Sequence, residues 1–139
     1  MRPLDTFSFL QLLQNQWKSP KEIQAIQNRK LRRLVHHAYT NVPYYKHLFD
    51  SAGITPESIS GIQDLAKIPT TSRNLLMELP REQMLARHIK SSECRITKTS
   101  GCTRSALKIV HRRRDLSLMN LGWARAYFAH GIKPWHRIA

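Results

Sequence analysis

The residues most able to do chemistry sit in one loop, Thr99, Ser100, Gly101, Cys102, Thr103 and Arg104, with Lys108 just beyond it. Small side chains let backbone N–H groups converge, hydroxyls add further donors, and Gly101 is free to take a positive φ, so the composition suits an anion such as phosphate. Lys98, Arg104 and Lys108 supply positive charge around it. The same composition also describes an ordinary polar turn, since Ser, Thr and Gly fill most turns. The loop is not of the G-x-x-x-x-G-K-[ST] type, because Ala106 stands where that pattern requires a second glycine.

No rival catalytic set emerges. A cysteine nucleophile at Cys102 needs a histidine base, and no sequence feature places His88 or His111 beside it. His36 and His37 are adjacent, so on a helix they point about 100° apart and do not share a metal in the i, i+4 manner. Nine acidic residues form no paired-carboxylate or zinc-ligand spacing. The chain is therefore given no general acid or base.

The loop must be held by what flanks it. In 94–98, Ile96 alternates with Arg95 and Thr97, and in 107–110 Leu107 and Ile109 alternate with Lys108, the period of half-buried strands. The spacing predicts a hairpin with the loop at its tip. After it, Asp115 opens a helix using Leu116, Met119, Trp123, Tyr127 and His130 as an inward stripe and stopping at Gly131. Gly122 within it costs about 1 kcal/mol relative to alanine, which suggests close packing there. Strand-like sequence resumes at Trp135 to Ile138.

Before the hairpin the chain reads as punctuated helices. Phe9, Leu10, Leu13 and Trp17 mark a first helix over about 8–17. Ser19, Pro20 and Glu22 form a capping box for a second, reaching about Tyr39, with Ile23, Ile26, Leu31, Leu34, Val35 and Ala38 inward and Arg29, Lys30, Arg32, Arg33 and His36 outward. Pro43 ends it, and a short helix over 44–52 buries Tyr45, Leu48 and Phe49 before Gly53. Thr55-Pro56 starts another turn, Ser60 and Gln63 suggest a further capping box, and Thr71 or Ser72 caps a segment carrying Leu75, Leu76 and Leu79.

The string TSGCTRSALKI resembles the phosphate loop [ST]-S-G-[ST]-[ST]-G-x-P of adenylate-forming enzymes, in particular the phenylacetate–CoA ligase-like branch with its capsular-polysaccharide-biosynthesis relatives. LRRLVHHAYTNVPYYKHLFDSAGITPESI, DLAKIPTTSRNLL and RRRDLSLMNLGWARAYFAHGIKPWHRIA resemble successive stretches of that branch, so the likeness runs from about Trp17 to the last residue. It implies an α/β fold: a helical lead-in over residues 1–93, then the first strands and helix of the nucleotide-binding subdomain over 94–139, incomplete. It also implies ATP with Mg2+, coenzyme A as co-substrate, and a small aryl or acyl carboxylic acid activated to an acyl-adenylate. Thr99, Ser100, Gly101, Cys102 and Thr103 fall on the hydroxyl-glycine positions that contact the β- and γ-phosphates. Cys102 replaces a usual Ser or Thr, Arg104 stands at the second glycine and Ala106 at the proline. Arg104 either strains that position or grips phosphate directly. The chain is expected to be an N-terminal piece that lacks catalysis by itself.

With 23 Lys+Arg against 9 Asp+Glu, the net charge is +14, which favours polyanionic partners. The alternative function is thus a small basic nucleic-acid-binding protein using Arg29, Lys30, Arg32, Arg33 and Arg112 to Arg114. The charges are spread along the chain, without the aromatic interleaving of an RNA-binding signature. No stretch approaches eighteen uninterrupted apolar residues and none reads as a secretory leader, so no membrane span and a cytoplasmic location with reduced Cys94 and Cys102 are expected.

Overall fold

Ser19 fixes the start of the longest helix. In the computed structural model, which describes residues 3–99, 106–133 and 135–137 apart from the side chains of 3–7, 113 and 114, its hydroxyl accepts from Glu22 N while the Glu22 carboxylate accepts from Ser19 N at 2.9 Å. With Pro20 in the first turn this launches α2, Pro20–Asn41, after a first helix α1, Pro3–Asn15. Such a cap contributes about 1 kcal/mol. Val42, extended before Pro43, ends α2 and begins α3, Pro43–Ser51. Gly53 then takes φ +65, the left-handed stop that a side chain would resist.

The core lies where α2, α3 and the stretch after Gly53 meet. Val35, Phe49, Ile54 and Ile59 are buried together, with Leu31, Tyr39, Leu48 and Ile68 against them, and Ile59 is fully enclosed. Leu31, Val35 and Ala38 form the inward stripe of α2 as expected. Leu34 does not join them and is 63% exposed, because it lies outside the arc that α3 and residues 54–68 cover. In α3 it is Tyr44 that is buried beside Phe49, with Tyr45 partly covered and its ring edge-on to Tyr44 at 5.1 Å.

Residues 54–68 carry two 3-10 turns, Pro56–Ser58 and Ile62–Lys67. The second is capped by Asp64 in place of Gln63: one carboxylate oxygen accepts from Ser60 N, Ser60 Oγ and Gly61 N, and the other meets Lys67 Nζ at 2.7 Å. Polar groups of α2 hold this segment in place. Arg32 Nη1 donates to Ser60 O at 2.7 Å and Asn28 Oδ1 accepts from Ile62 N at 3.1 Å.

Ser72 caps α4, Arg73–Glu78, and a short α5, Arg81–Met84, follows Pro80. Tyr44 Oη donates to Thr71 Oγ1, and Arg87 N donates to Asn41 O, so the segment is laced back onto α2 and α3. A 3-10 turn at Ser91–Glu93 leads into β1, Cys94–Lys98, which pairs antiparallel with β2, Lys108–Arg112. Then comes α6, Arg113–Ala129, stopped by Gly131 at φ +74. The described residues are thus mostly helical with one two-stranded antiparallel sheet, compatible with part of an α/β domain.

Several expectations do not hold. Helix α1 ends at Asn15, leaving Trp17 in a turn and 84% exposed. Helix α6 packs on α1 through contacts that include the Phe9 and Phe128 rings, 5.7 Å apart, and its Met119–Trp123–Tyr127 stripe is left bare. Gly122 faces open space, so close packing is not why it is there. Ile96 and Ile109 are likewise exposed, since a two-stranded ribbon receives little cover from the rest of the chain. Residues 135–137 form a turn, with His136 N donating to Lys133 O, rather than a strand, which would need a ladder partner.

Candidate phosphate-binding hairpin

The register of the hairpin decides what its tip presents. Cys94 faces Arg112, Ile96 faces Val110, and Lys98 faces Lys108 at the last rung before the loop. One further bond, Thr99 N to Leu107 O at 3.1 Å, carries the ladder a residue beyond β1. Lower down, His111 Nε2 and Thr97 Oγ1 lie 2.9 Å apart on the other face and help set the strand pairing.

Two features of this end stand out chemically. Lys98 and Lys108 are both exposed and directly opposed, and like charges in that relation destabilise a strand pair unless an anion lies between or above them. Thr99 Oγ1 is shielded from solvent and has no hydrogen-bond partner among the described residues. A buried hydroxyl without a partner is uncommon and points to a group that completes it. Of the sequence candidates, Thr99 and Lys108 are thus both at the hairpin tip, Lys108 across from Lys98 and Thr99 on the following rung with Leu107, on the opposite face of the ribbon. Ser100, Gly101, Cys102, Thr103 and Arg104 lie outside the described residues.

Sequence reasoning missed the neighbour of this tip. The stretch from Ala106 to Val110, which runs into β2, faces α4 and α5 across a cleft of about 690 Å³, lined also by Leu76, Leu79, Met84 and Leu85 with Arg81. The available signal was the run of Leu and Met at 75–85, read only as packing. Cys94 is a free, half-buried thiol whose Sγ lies 3.6 Å from Lys90 O. Among the described residues no group of three His, Cys, Asp or Glu could hold a metal ion, and no helix is long and apolar enough to cross a membrane. Arg29, Lys30, Arg32 and Arg33 are exposed on α2, as the sequence predicts.

No protein-family model matches the chain. It is 31% identical over 124 residues to a phenylacetate-coenzyme A ligase of Thermus thermophilus, an alignment that covers 83% of this chain and 26% of that protein. The chain is homologous to phenylacetate-coenzyme A ligases. A ligase of the same name from Escherichia coli is 30% identical over 128 residues, covering 86% of this chain and 27% of its own length. One from Aromatoleum evansii is 36% identical over 81 residues, 52% of this chain and 18% of that protein. The chain therefore spans about a quarter of the length of the Thermus thermophilus and Escherichia coli ligases. Alignments covering this much of 139 residues necessarily run through the hairpin.

Proposed function

We propose that this chain forms the leading part of an ATP-dependent acid–thiol ligase, with residues 1–93 as a helical lead-in and 94–139 as the start of its nucleotide-binding subdomain. The observation that carries this reading is the match of 83% and 86% of the chain to two phenylacetate-coenzyme A ligases. The opposed Lys98 and Lys108 and, one rung further on, the unpartnered Thr99 hydroxyl support it.

In such a ligase the carboxylate of the acid attacks the α-phosphorus of ATP, pyrophosphate leaves, and a thiol such as coenzyme A takes the acyl group with release of AMP. An anionic nucleophile approaching an anionic phosphate chain needs positive charge and N–H or O–H donors around the leaving phosphates. In this proposal Thr99 Oγ1 donates to a β- or γ-phosphate oxygen and Lys108, with Lys98, offsets its charge. Ser100, Gly101, Cys102, Thr103 and Arg104 would complete the cradle by resemblance. The described residues offer no donor set for Mg2+, so no step is routed through it, and none is assigned to coenzyme A or to the acid.

The test is ATP binding by equilibrium dialysis at fixed ionic strength, beside acid-dependent ATP–pyrophosphate exchange. Lys108→Ala and Thr99→Val should each weaken ATP by about tenfold, the scale of a lost charge-assisted hydrogen bond. Unchanged affinity in both would remove the hairpin from the nucleotide site. The chain by itself should show no exchange with phenylacetate or fatty acids, and measurable exchange would overturn the assignment of only a leading part. If duplex DNA instead binds far more tightly than ATP, with a steep salt dependence, the exposed arginines of α2 become the functional surface.

A further inference from the structure

Helix α6 has two faces and the described residues cover one. The side carrying Phe128 packs on α1. The other presents Met119, Trp123 and Tyr127 at i, i+4 and i+8, with Trp123 65% exposed, and Trp123 and Tyr127 border an open depression lined also by Asn120 and Ala124. An aligned row of large apolar side chains, an aromatic pair included, is the composition of an interface centre. Basic residues mark both ends of the helix: Arg112 before it, His130 and Lys133 after it, all exposed.

Resting on the ligase reading, we infer that this row is the docking surface for the part of the ligase that the chain does not span. The occupant is a polypeptide presenting an apolar groove for Trp123 and Tyr127, bordered by acidic side chains. Two observations choose it. The homologous ligases carry about three quarters of their length beyond what this chain matches, which is ample protein to bury the row. The chain carries +14 with only nine acidic residues, so its own copies repel while an acidic surface is drawn to it. A second copy of the chain is therefore the disfavoured occupant.

The experiment co-expresses the tagged full chain with the portion of the Escherichia coli ligase beyond its matched quarter, and measures recovery of the complex and its dissociation constant at two salt concentrations. Capture should occur and weaken with salt. Trp123→Ser combined with Tyr127→Ser should weaken it about 30-fold, the scale of a central aromatic pair. Trp17→Ser, at a still more exposed tryptophan in the turn after α1, should leave it unchanged. Circular dichroism of both variants checks that α6 persists. Failure of capture, equal loss in Trp17→Ser, or Trp123-dependent self-association in sedimentation would each overturn the inference. Capture that survives while Lys108→Ala leaves ATP affinity untouched would keep the docking surface and remove the nucleotide reading.

Discussion

Phe49→Ala is expected to lower the stability of the chain by about 3–5 kcal/mol, the range for emptying a buried aromatic site. Phe49 is 3% exposed and belongs to the buried cluster, with Val35, Ile54 and Ile59 around it. Its ring stacks on Tyr39 at 6.3 Å and lies tilted to Tyr45 at 6.3 Å, so three aromatic rings lose their arrangement together. The backbone is involved as well, since Phe49 O accepts from Ile54 N at 2.9 Å and fixes the turn at Gly53. Urea denaturation of the variant beside Trp17→Ala measures this. Trp17→Ala, in an exposed turn, should stay within about 0.5 kcal/mol of the parent. A Phe49→Ala loss below about 1 kcal/mol would mean that the cluster is not what holds α2 to α3.

Asp64 should make the chain acid-sensitive in a way that one substitution removes. Its carboxyl is held well below the usual carboxylate range, first by Lys67 and then by the Ser60 hydroxyl and the backbone N–H groups of Ser60 and Gly61. A folded-state value depressed below the unfolded one contributes stability that is fully present above about pH 4. That contribution fades as the pH falls from there toward the lower folded value. Asp50, held down by Lys46 and then by Tyr39, and Glu22, held down by Ser19, add in the same direction. The difference between the parent and Asp64→Asn isolates one group. The melting temperature of Asp64→Asn should be lower at pH 7, and its gap from the parent should narrow as the pH falls from 4 toward 2. Parallel curves across that range would show that the 60–64 cap does not depend on the charge.

What the sequence made legible follows from the range of the forces involved. The Ser19 cap, the Val42-Pro43 break and the Gly53 stop depend on neighbours within a few residues, and all three stand in the structure as expected. The hairpin was readable because alternation is local too. The cap at 60–64 was misassigned by one residue because Gln63 and Asp64 both lie within reach of Ser60. The carboxylate accepts three donors at once, and the amide only contributes Nε2 to Ser60 Oγ. Burial was the weaker part. Leu34, Ile96, Trp123 and Tyr127 are apolar at the right period, and whether they are covered depends on partners that periodicity does not name. At the site, residue types suggested phosphate, but only the register reveals that Lys98 and Lys108 oppose each other.

The placement of the core has a consequence for the order of folding. Every member of the buried cluster and of its apolar surround lies between Leu31 and Ile68. Closing these contacts spans short stretches of chain, so little loop entropy opposes them. Residues 31–68 therefore carry what they need to collapse as a unit before the hairpin has been synthesised.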